Sequence, residues 1–307
     1  MAQADPTKLA DFSGFLPAPI AAPYFDLARK SSVVQSLARQ IPLGTNGQEI
    51  PYSTAKATAA WVSEGGKKPT TESGLALKSI KPHKIAAISV VSAEVVRANP
   101  GNYMEILRQD IAEAFAVAFD LAALHGTDSP FGANMYLDAT SQAKVEIGTS
   151  NKGVWADIVA GMSTLQGASK RVTGFAFDRK AETIFLGALD SSNRPIFVGT
   201  DDSASEVVVP GRMAGRPAVI GDNIATTIVA GTPNTGGVVG YGGDWSQCVW
   251  GVVGGISYDV STEASVTLGT TLTSLWEYNL VAIRAEAEFG FLCNDVDAFV
   301  QYTNHTV

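Results

Sequence analysis

Cysteine and histidine are almost missing from this chain: two of the first, Cys248 and Cys293, and three of the second, His83, His125 and His305, in 307 residues. The two thiols have no metal-ligand spacing. The start, Met1-Ala2-Gln3-Ala4-Asp5-Pro6, lacks the basic and apolar regions of an export signal. Both thiols therefore read as reduced, buried structural residues of a protein made and kept in the cytoplasm. Charge is scarce as well, at 17% of residues, and its balance of −8 argues against a nucleic-acid-binding face, which needs clustered Lys and Arg. No apolar run reaches the roughly 20 residues that span a bilayer, so no membrane partner is expected.

Catalytic signatures are missing too. There is no phosphate-binding loop, metalloprotease helix, nucleophile elbow or dinucleotide fingerprint. The glycines from Gly231 to Gly243 lack the Lys and the helix that would make a phosphate cradle. His83 follows a proline, and His125 sits where a helix stops, positions that suit surface or capping roles. Asp201-Asp202 and the Asp295/Asp297 pair read as solvated turn acids. No metal, cofactor or diffusible substrate is expected, and the chain does not read as an enzyme.

What is present is a core's worth of apolar residues, 46%, and 30 glycines. So few charges leave a neutral, small-residue surface suited to subunit contacts. From Gln48 to Val91 the chain reads as one long hairpin. Its arms carry Ile50, Tyr52, Trp61 and Val62, then Leu75, Leu77, Ile80, Ile85, Ile88 and Val90. Gly65, Gly66, Lys67, Lys68 and Pro69 form its tip. A lone two-stranded ribbon is marginal in water, so its partner surface is expected on another copy of the chain.

Before the hairpin, Pro6, Pro17, Pro19 and Pro23 mark residues 1–46 as an extended arm, with room for a short helix only over Asp26 to Arg39. After it, Ser92 to Val96 reads as a helical turn closed by Asn99-Pro100. A long helix follows over 102–125, with Asn102 as N-cap, Glu105 as its capping-box partner and Gly126 as the stop. Its apolar stripe is Met104, Leu107, Ile111, Ala114, Phe115, Ala118, Phe119 and Ala122. A second helix is expected from Trp155 to Ala168, a strand over Phe175 to Phe177 and a helix from Arg179 to Leu189. Short strands run from Ile196 to Tyr258, and an apolar return runs from Thr262 to Val300. The class is α+β.

The order of these features resembles the major capsid proteins of tailed bacteriophages, the family with the Hong Kong 97-type fold, over essentially the whole chain. Trp61-Val62-Ser63-Glu64-Gly65 is similar to that family's extended-loop signature. Ile85 to Glu94 resembles the strand leaving the loop, and Met104 to Gly126 the spine helix. Phe177 to Asp190 with Arg194-Pro195-Ile196-Phe197 resembles the opening of the axial domain. Gly215-Arg216-Pro217-Ala218-Val219, Gly243-Asp244-Trp245-Ser246 and the closing Asn279 to Val300 resemble later strands and turns.

The resemblance implies an arm (1–46), an extended loop (47–91), a peripheral domain (92–171), an axial domain (172–258) and a return to the peripheral domain (259–307). It implies a structural protein whose hexamers and pentamers tile an icosahedral virion shell around double-stranded DNA, assembled in the host bacterial cytoplasm. Inter-subunit contacts would fall at Trp61, Val62, Glu64, Lys67 and Lys68. A separate scaffolding protein, a portal and decoration proteins are possible partners. Some members of that family cross-link their shells through a loop Lys, an Asn and a Glu, and Lys67 or Lys68, Asn279 and Glu286 stand at corresponding places. Each also has an ordinary reading, as loop-tip cation, turn residue or ion-pair partner, so non-covalent packing is the expectation. The rivals are an encapsulin-type nanocompartment shell and an unrecognised enzyme.

Overall fold

A computed structural model describes residues 32–132, 135–138, 143–148, 153–181, 184–185, 197–199, 209–225 and 237–304. The arm over 1–31, most of the helix expected from Arg179 to Leu189, Asp201-Asp202, the first part of the glycine cluster and His305 lie outside the described residues.

Helix α1 (Val33–Leu37) and strand β1 (Arg39–Gln40) lead into a ribbon, β2 (Gln48–Ala55) and β3 (Gly74–Ile80). Next come β4 (His83–Ser92), α2 (Ala93–Ala98), the long helix α3 (Tyr103–His125), β5 (Ala143–Ile147), α4 (Val154–Gly167) and β6 (Gly174–Asp178). Then follow β7 (Phe197–Gly199), β8 (Val209–Met213), β9 (Arg216–Gly221), β10 (Val238–Gly243) and β11 (Cys248–Ser261). The chain closes with β12 (Ser265–Leu268), β13 (Thr271–Ser274), β14 (Leu280–Cys293) and β15 (Phe299–Asn304).

Two larger sheets hold most of these strands, one of four in the order β1-β11-β14-β4 and one of seven in the order β5-β15-β10-β6-β9-β8-β7. They share two strand lines. β10 turns through Trp245–Gln247 into β11, and β14 turns through Val296–Ala298 into β15. The neighbours β11 and β14 of one sheet thus continue as the neighbours β10 and β15 of the other. Between the two turns, Asn294 donates its backbone N–H to Gln247 at 2.9 Å, and Asp244 donates to Ala298 at 3.1 Å.

The core is densest at this crossing, where Phe119, Ala123 and Leu124 of α3 meet Tyr241, Trp245, Trp250, Phe291 and Phe299. A second cluster packs α4 on the seven-stranded sheet through Ile158, Leu165, Phe175, Phe177 and Tyr302. Helix α3 lies on the four-stranded sheet through Ile111 and Phe115 against Ala285 and Ala287. Ala114 and Ala118, expected in the stripe, face solvent, because the buried line advances four residues at a time through 111, 115 and 119.

Three further expectations change. The capping box is absent: Asn102 is left-handed (φ 60) and makes no side-chain cap bond. The start is instead held by Asn99, whose Oδ1 accepts from the Met104 N–H at 3.0 Å, while Glu105 pairs with Arg108 at 3.7 Å. The ribbon ends at Ile80, since β4 pairs with β14 rather than with β2, so Ile85, Ile88 and Val90 are sheet residues and not hairpin residues. Sheet membership also cuts across the expected boundaries at 171/172 and 258/259. β5 and β15 lie in the seven-stranded sheet, and β11 lies in the four-stranded one.

The glycines of β10 have a packing role. A Cβ on Gly240 would stand 2.1 Å from the Phe177 ring and 2.6 Å from the Ala176 carbonyl oxygen, which as backbone cannot move aside. Gly240→Ala is therefore expected to destabilise the chain by about 2 kcal/mol, read as a lower melting temperature in calorimetry. An unchanged melting temperature would contradict this packing.

Candidate subunit interface

The β2–β3 ribbon is paired from Gln48↔Ile80 to Ala55↔Gly74. At its root Ile80 is buried with Leu43, Val249 and Leu292, and Lys78 donates to the Asn294 carbonyl oxygen. Beyond the root one face is uncovered, since Leu75 and Leu77, which share a side of the strand, are 79% and 62% exposed, while Ile50, Tyr52 and Lys78 on the other side are half-buried. The tip, 56–73, carries no strand, so the expected tip-ward strand from Trp61 to Gly65 is instead irregular backbone around a turn. Gly66 N–H donates to the Ser63 carbonyl oxygen at 2.9 Å, and Gly65 takes φ 77. Trp61, Val62, Glu64, Lys67 and Lys68 are all exposed there, the indole of Trp61 completely.

Asn279 and Glu286 do not meet within the chain. Asn279 turns the chain into β14 with φ 52, and its side-chain N–H donates to Glu94 Oε1 at 2.6 Å. A backbone hydrogen bond and that amide hold the Glu94 carboxyl below its ordinary value. Glu286 lies about 23 Å further along the strand, paired with Lys84 at 3.2 Å and Arg284 at 3.4 Å. Beside Asn279 sits an apolar patch of Leu272, Trp276 and Tyr278, each about two-thirds or more exposed. Trp276 and Tyr278 are turned outward because Leu275 and Leu280 on either side are anchored in a small cluster with Val90 and Leu268.

At the other end of the described chain, a buried carboxylate ties α1 to α3. Asp120 accepts from the Ser32 hydroxyl at 2.6 Å, the Val33 N–H at 2.9 Å and the Val34 N–H at 3.4 Å. It thereby satisfies the open donors that begin α1. Burial pushes this carboxyl up to about 7, against the pull of those donors. Nearby, His125 is buried rather than on the surface. Its Nε2 lies 2.9 Å from the Ile224 carbonyl oxygen and its Nδ1 lies 3.1 Å from the Tyr241 hydroxyl. Asp295 is ion-paired with Lys170 rather than merely solvated. Among the described residues no three His, Cys, Asp or Glu side chains gather as metal ligands.

A ribbon with one open face and exposed aromatic side chains describe a surface built for contact. A family model described as the phage capsid family matches residues 13–304. The chain belongs to the phage capsid family. Within it, the "Probable major capsid protein gp17" of Mycobacterium phage L5 is 43% identical, covering 95% of this chain and 90% of that protein. The protein of the same name from Mycobacterium phage D29 is also 43% identical, covering 95% and 91%. In fold, a solved chain from Gordonia phage Cozz superposes with a TM-score of 0.73 at 23% identity, covering 97% of this chain and 94% of that one. One from Mycobacterium phage Adephagia superposes at 0.72 and 17% identity, covering 97% and 98%.

Two features of this phage capsid family member escape sequence reasoning. The exposed Trp276 and Tyr278 stand in the turn between β13 and β14, where the sequence reads only as part of an apolar strand-rich return. Asp120 stands out only as a carboxylate set beside Phe119 in an otherwise apolar helix face, which is itself a sign of a buried partner. Because its folded-state value lies above its unfolded one, Asp120 contributes stability that is present below about pH 4 and is lost as pH rises through about 7. In Asp120→Asn, this part of the pH dependence is expected to vanish. Melting curves of both proteins between pH 4 and pH 7 should differ in slope, and parallel slopes would contradict the assignment.

Proposed function

We infer that this member of the phage capsid family is a bacteriophage major capsid protein, a structural subunit that builds the virion shell. Its copies assemble as hexamers and pentamers of an icosahedral particle around double-stranded DNA, in the cytoplasm of the bacterial host. The observation that carries this reading is the ribbon: two strands with the Leu75 and Leu77 face open and a completely exposed Trp61 beyond them gain a partner only on another copy. Residues 1–46 serve as the arm, the ribbon and its root as the extended loop, α3 as the spine, and the seven-stranded sheet as the main part of the axial domain. A separate scaffolding protein, a portal and decoration proteins are candidate partners of the assembly. A nanocompartment shell would share the fold, but the relatives are phage capsid proteins and do not favour it.

The mechanism is mechanical. DNA is enclosed without sequence readout, since the charge balance of −8 offers no phosphate-binding face. Shell strength comes from apolar area that is open in the single chain, at Trp61, Leu75, Leu77 and the Leu272, Trp276 and Tyr278 patch, and is covered by neighbours.

A second, covalent reading is favoured by one contact, the exposed Asn279 carboxamide held at 2.6 Å by Glu94. A neutral Lys67 or Lys68 amine from a neighbour would attack the carboxamide carbon, a carboxylate would take the attacking nitrogen's proton and pass it to the amide nitrogen, the C–N bond would break and ammonia would leave. Glu94 is held ionised in the single chain and so is a weak base there, while Glu286 is occupied by Lys84 and Arg284. Glu94 would need a covering neighbour to gain basicity.

Two measurements separate these readings. Replacing Gly65-Gly66 and Lys67-Lys68 with a two-residue turn is expected to leave a folded subunit that forms no stable particles in negative-stain microscopy; normal particles would remove the loop from the mechanism. On a denaturing gel of purified particles, non-covalent packing predicts a single band at 32.1 kDa. A ladder that disappears in Asn279→Ala would establish the cross-link.

A further inference from the structure

The two cysteines, far apart in sequence, meet at the crossing of the two sheets. Cys248 opens β11, Cys293 closes β14, and they are direct partners in the antiparallel register. The Asn294 N–H to Gln247 carbonyl bond, 2.9 Å, flanks them. It makes them a non-hydrogen-bonded pair, the narrow site where facing Cα atoms lie about 4.5 Å apart and both side chains leave the same face of the sheet. That spacing falls inside the range a disulfide spans without moving backbone. Both thiols are free, and both are buried, at 0% and 2% exposure.

We propose that Cys248 and Cys293 are a disulfide-forming site, closed within one chain by a small oxidant of the peroxide class and locking the point where both strand lines pass between the sheets. In the first step one thiol gives its proton to water and the thiolate attacks a peroxide oxygen. The O–O bond breaks, hydroxide leaves and a sulfenic acid remains. In the second step the neighbouring sulfur attacks the sulfenic sulfur, the S–O bond breaks and the S–S bond forms. The oxygen leaves as water, carrying the second thiol's proton. In total, two thiols and one peroxide give one disulfide and two waters, with two electrons passing from sulfur to oxygen.

The surroundings set the pace. Burial, first, and then the neighbouring thiol raise the Cys248 thiol well above its ordinary value, so little of it is the reactive thiolate. The walls are Trp245, Trp250, Phe291 and Phe299, which admit a peroxide more readily than a peptide disulfide such as oxidised glutathione. The site is therefore a slow lock, reduced during synthesis and closing after prolonged exposure to an oxidising medium. That timing rests on the virion reading; the chemistry does not, because both thiols belong to one chain.

The experiment treats purified particles, and separately the unassembled full-length chain, with hydrogen peroxide, then alkylates under denaturing conditions and measures intact mass. The expected result in both preparations is a loss of about 2 Da, no alkylated thiol and a peptide pair joined at 248 and 293. A rise in melting temperature of roughly 5 °C, reversed by dithiothreitol, should accompany it. Cys293→Ala should lose the mass shift and keep Cys248 alkylatable. The proposal is overturned by two alkylatable thiols after long exposure, by a gain of about 32 Da at either cysteine without a link, or by a bond joining two chains. Failure of particles to form while the unassembled chain closes its disulfide would count against the shell reading alone.

Discussion

The antiparallel pairing of β11 with β14 is the constraint on which the other parts depend. These two strands run side by side through the four-stranded sheet, then turn together and continue as β10 and β15 in the middle of the seven-stranded sheet. A slip of one residue in that pairing would turn every side chain to the other face. Phe291 and Trp250 would leave the core under α3, Tyr302 would leave α4, and Cys248 would lose Cys293. The glycines of β10 follow from the same constraint, because Phe175 and Phe177 lie across the strand where any Cβ would stand. The root of the ribbon is set on it too, through Ile80 against Val249 and Leu292.

From that framework the chain extends surfaces that it does not cover. A ribbon with Leu75 and Leu77 open, an irregular tip with Trp61 fully in solvent, and Trp276 and Tyr278 held outward by two buried leucines are costly in a single subunit. They become favourable when each copy covers its neighbour, since burial of apolar area drives association. A closed shell of identical chains needs such head-to-tail contacts between unlike surfaces. Membership of the phage capsid family and the shape of the subunit meet at this point: on the proposed function, the features that look unfinished in one chain are the contacts of many.

Much of this was legible in the sequence where a local physical rule applied. Gly126 stops α3 in the left-handed conformation that glycine tolerates, and the helical turn read from Ser92 is the start of α2, ending at Asn99. The apolar spacing marks α4, and the ribbon was visible as strands without a local partner. The rest depends on tertiary placement. The ribbon was read too long because the apolar alternation of β3 continues through Lys81-Pro82 into β4, and only the β4–β14 pairing separates them. The start of α3 was misassigned because a left-handed Asn102 points its side chain away from the open N–H groups, a conformation the residue type permits but does not announce. The crossing of strands between sheets, the partnership of Asp120 with Ser32 and the meeting of the two cysteines join residues with no sequence relation. Of the proposed interface, the loop-tip residues Trp61, Val62, Glu64, Lys67 and Lys68 are named from sequence alone, and the exposed Trp276 and Tyr278 are not, since their outward aim is imposed by Leu275 and Leu280.

The central claim is that the ribbon finds its partner on a neighbouring copy, and amide hydrogen exchange tests it most directly. The amides of 48–55 and 74–80 would be followed in assembled particles and in dissociated subunits at the same pH and temperature. The account predicts rapid exchange over the outer ribbon in the free subunit, with protection confined to the root near Ile80, and strong protection along its whole length after assembly. Equal exchange in both states would mean that no neighbour covers the ribbon, and would contradict the account.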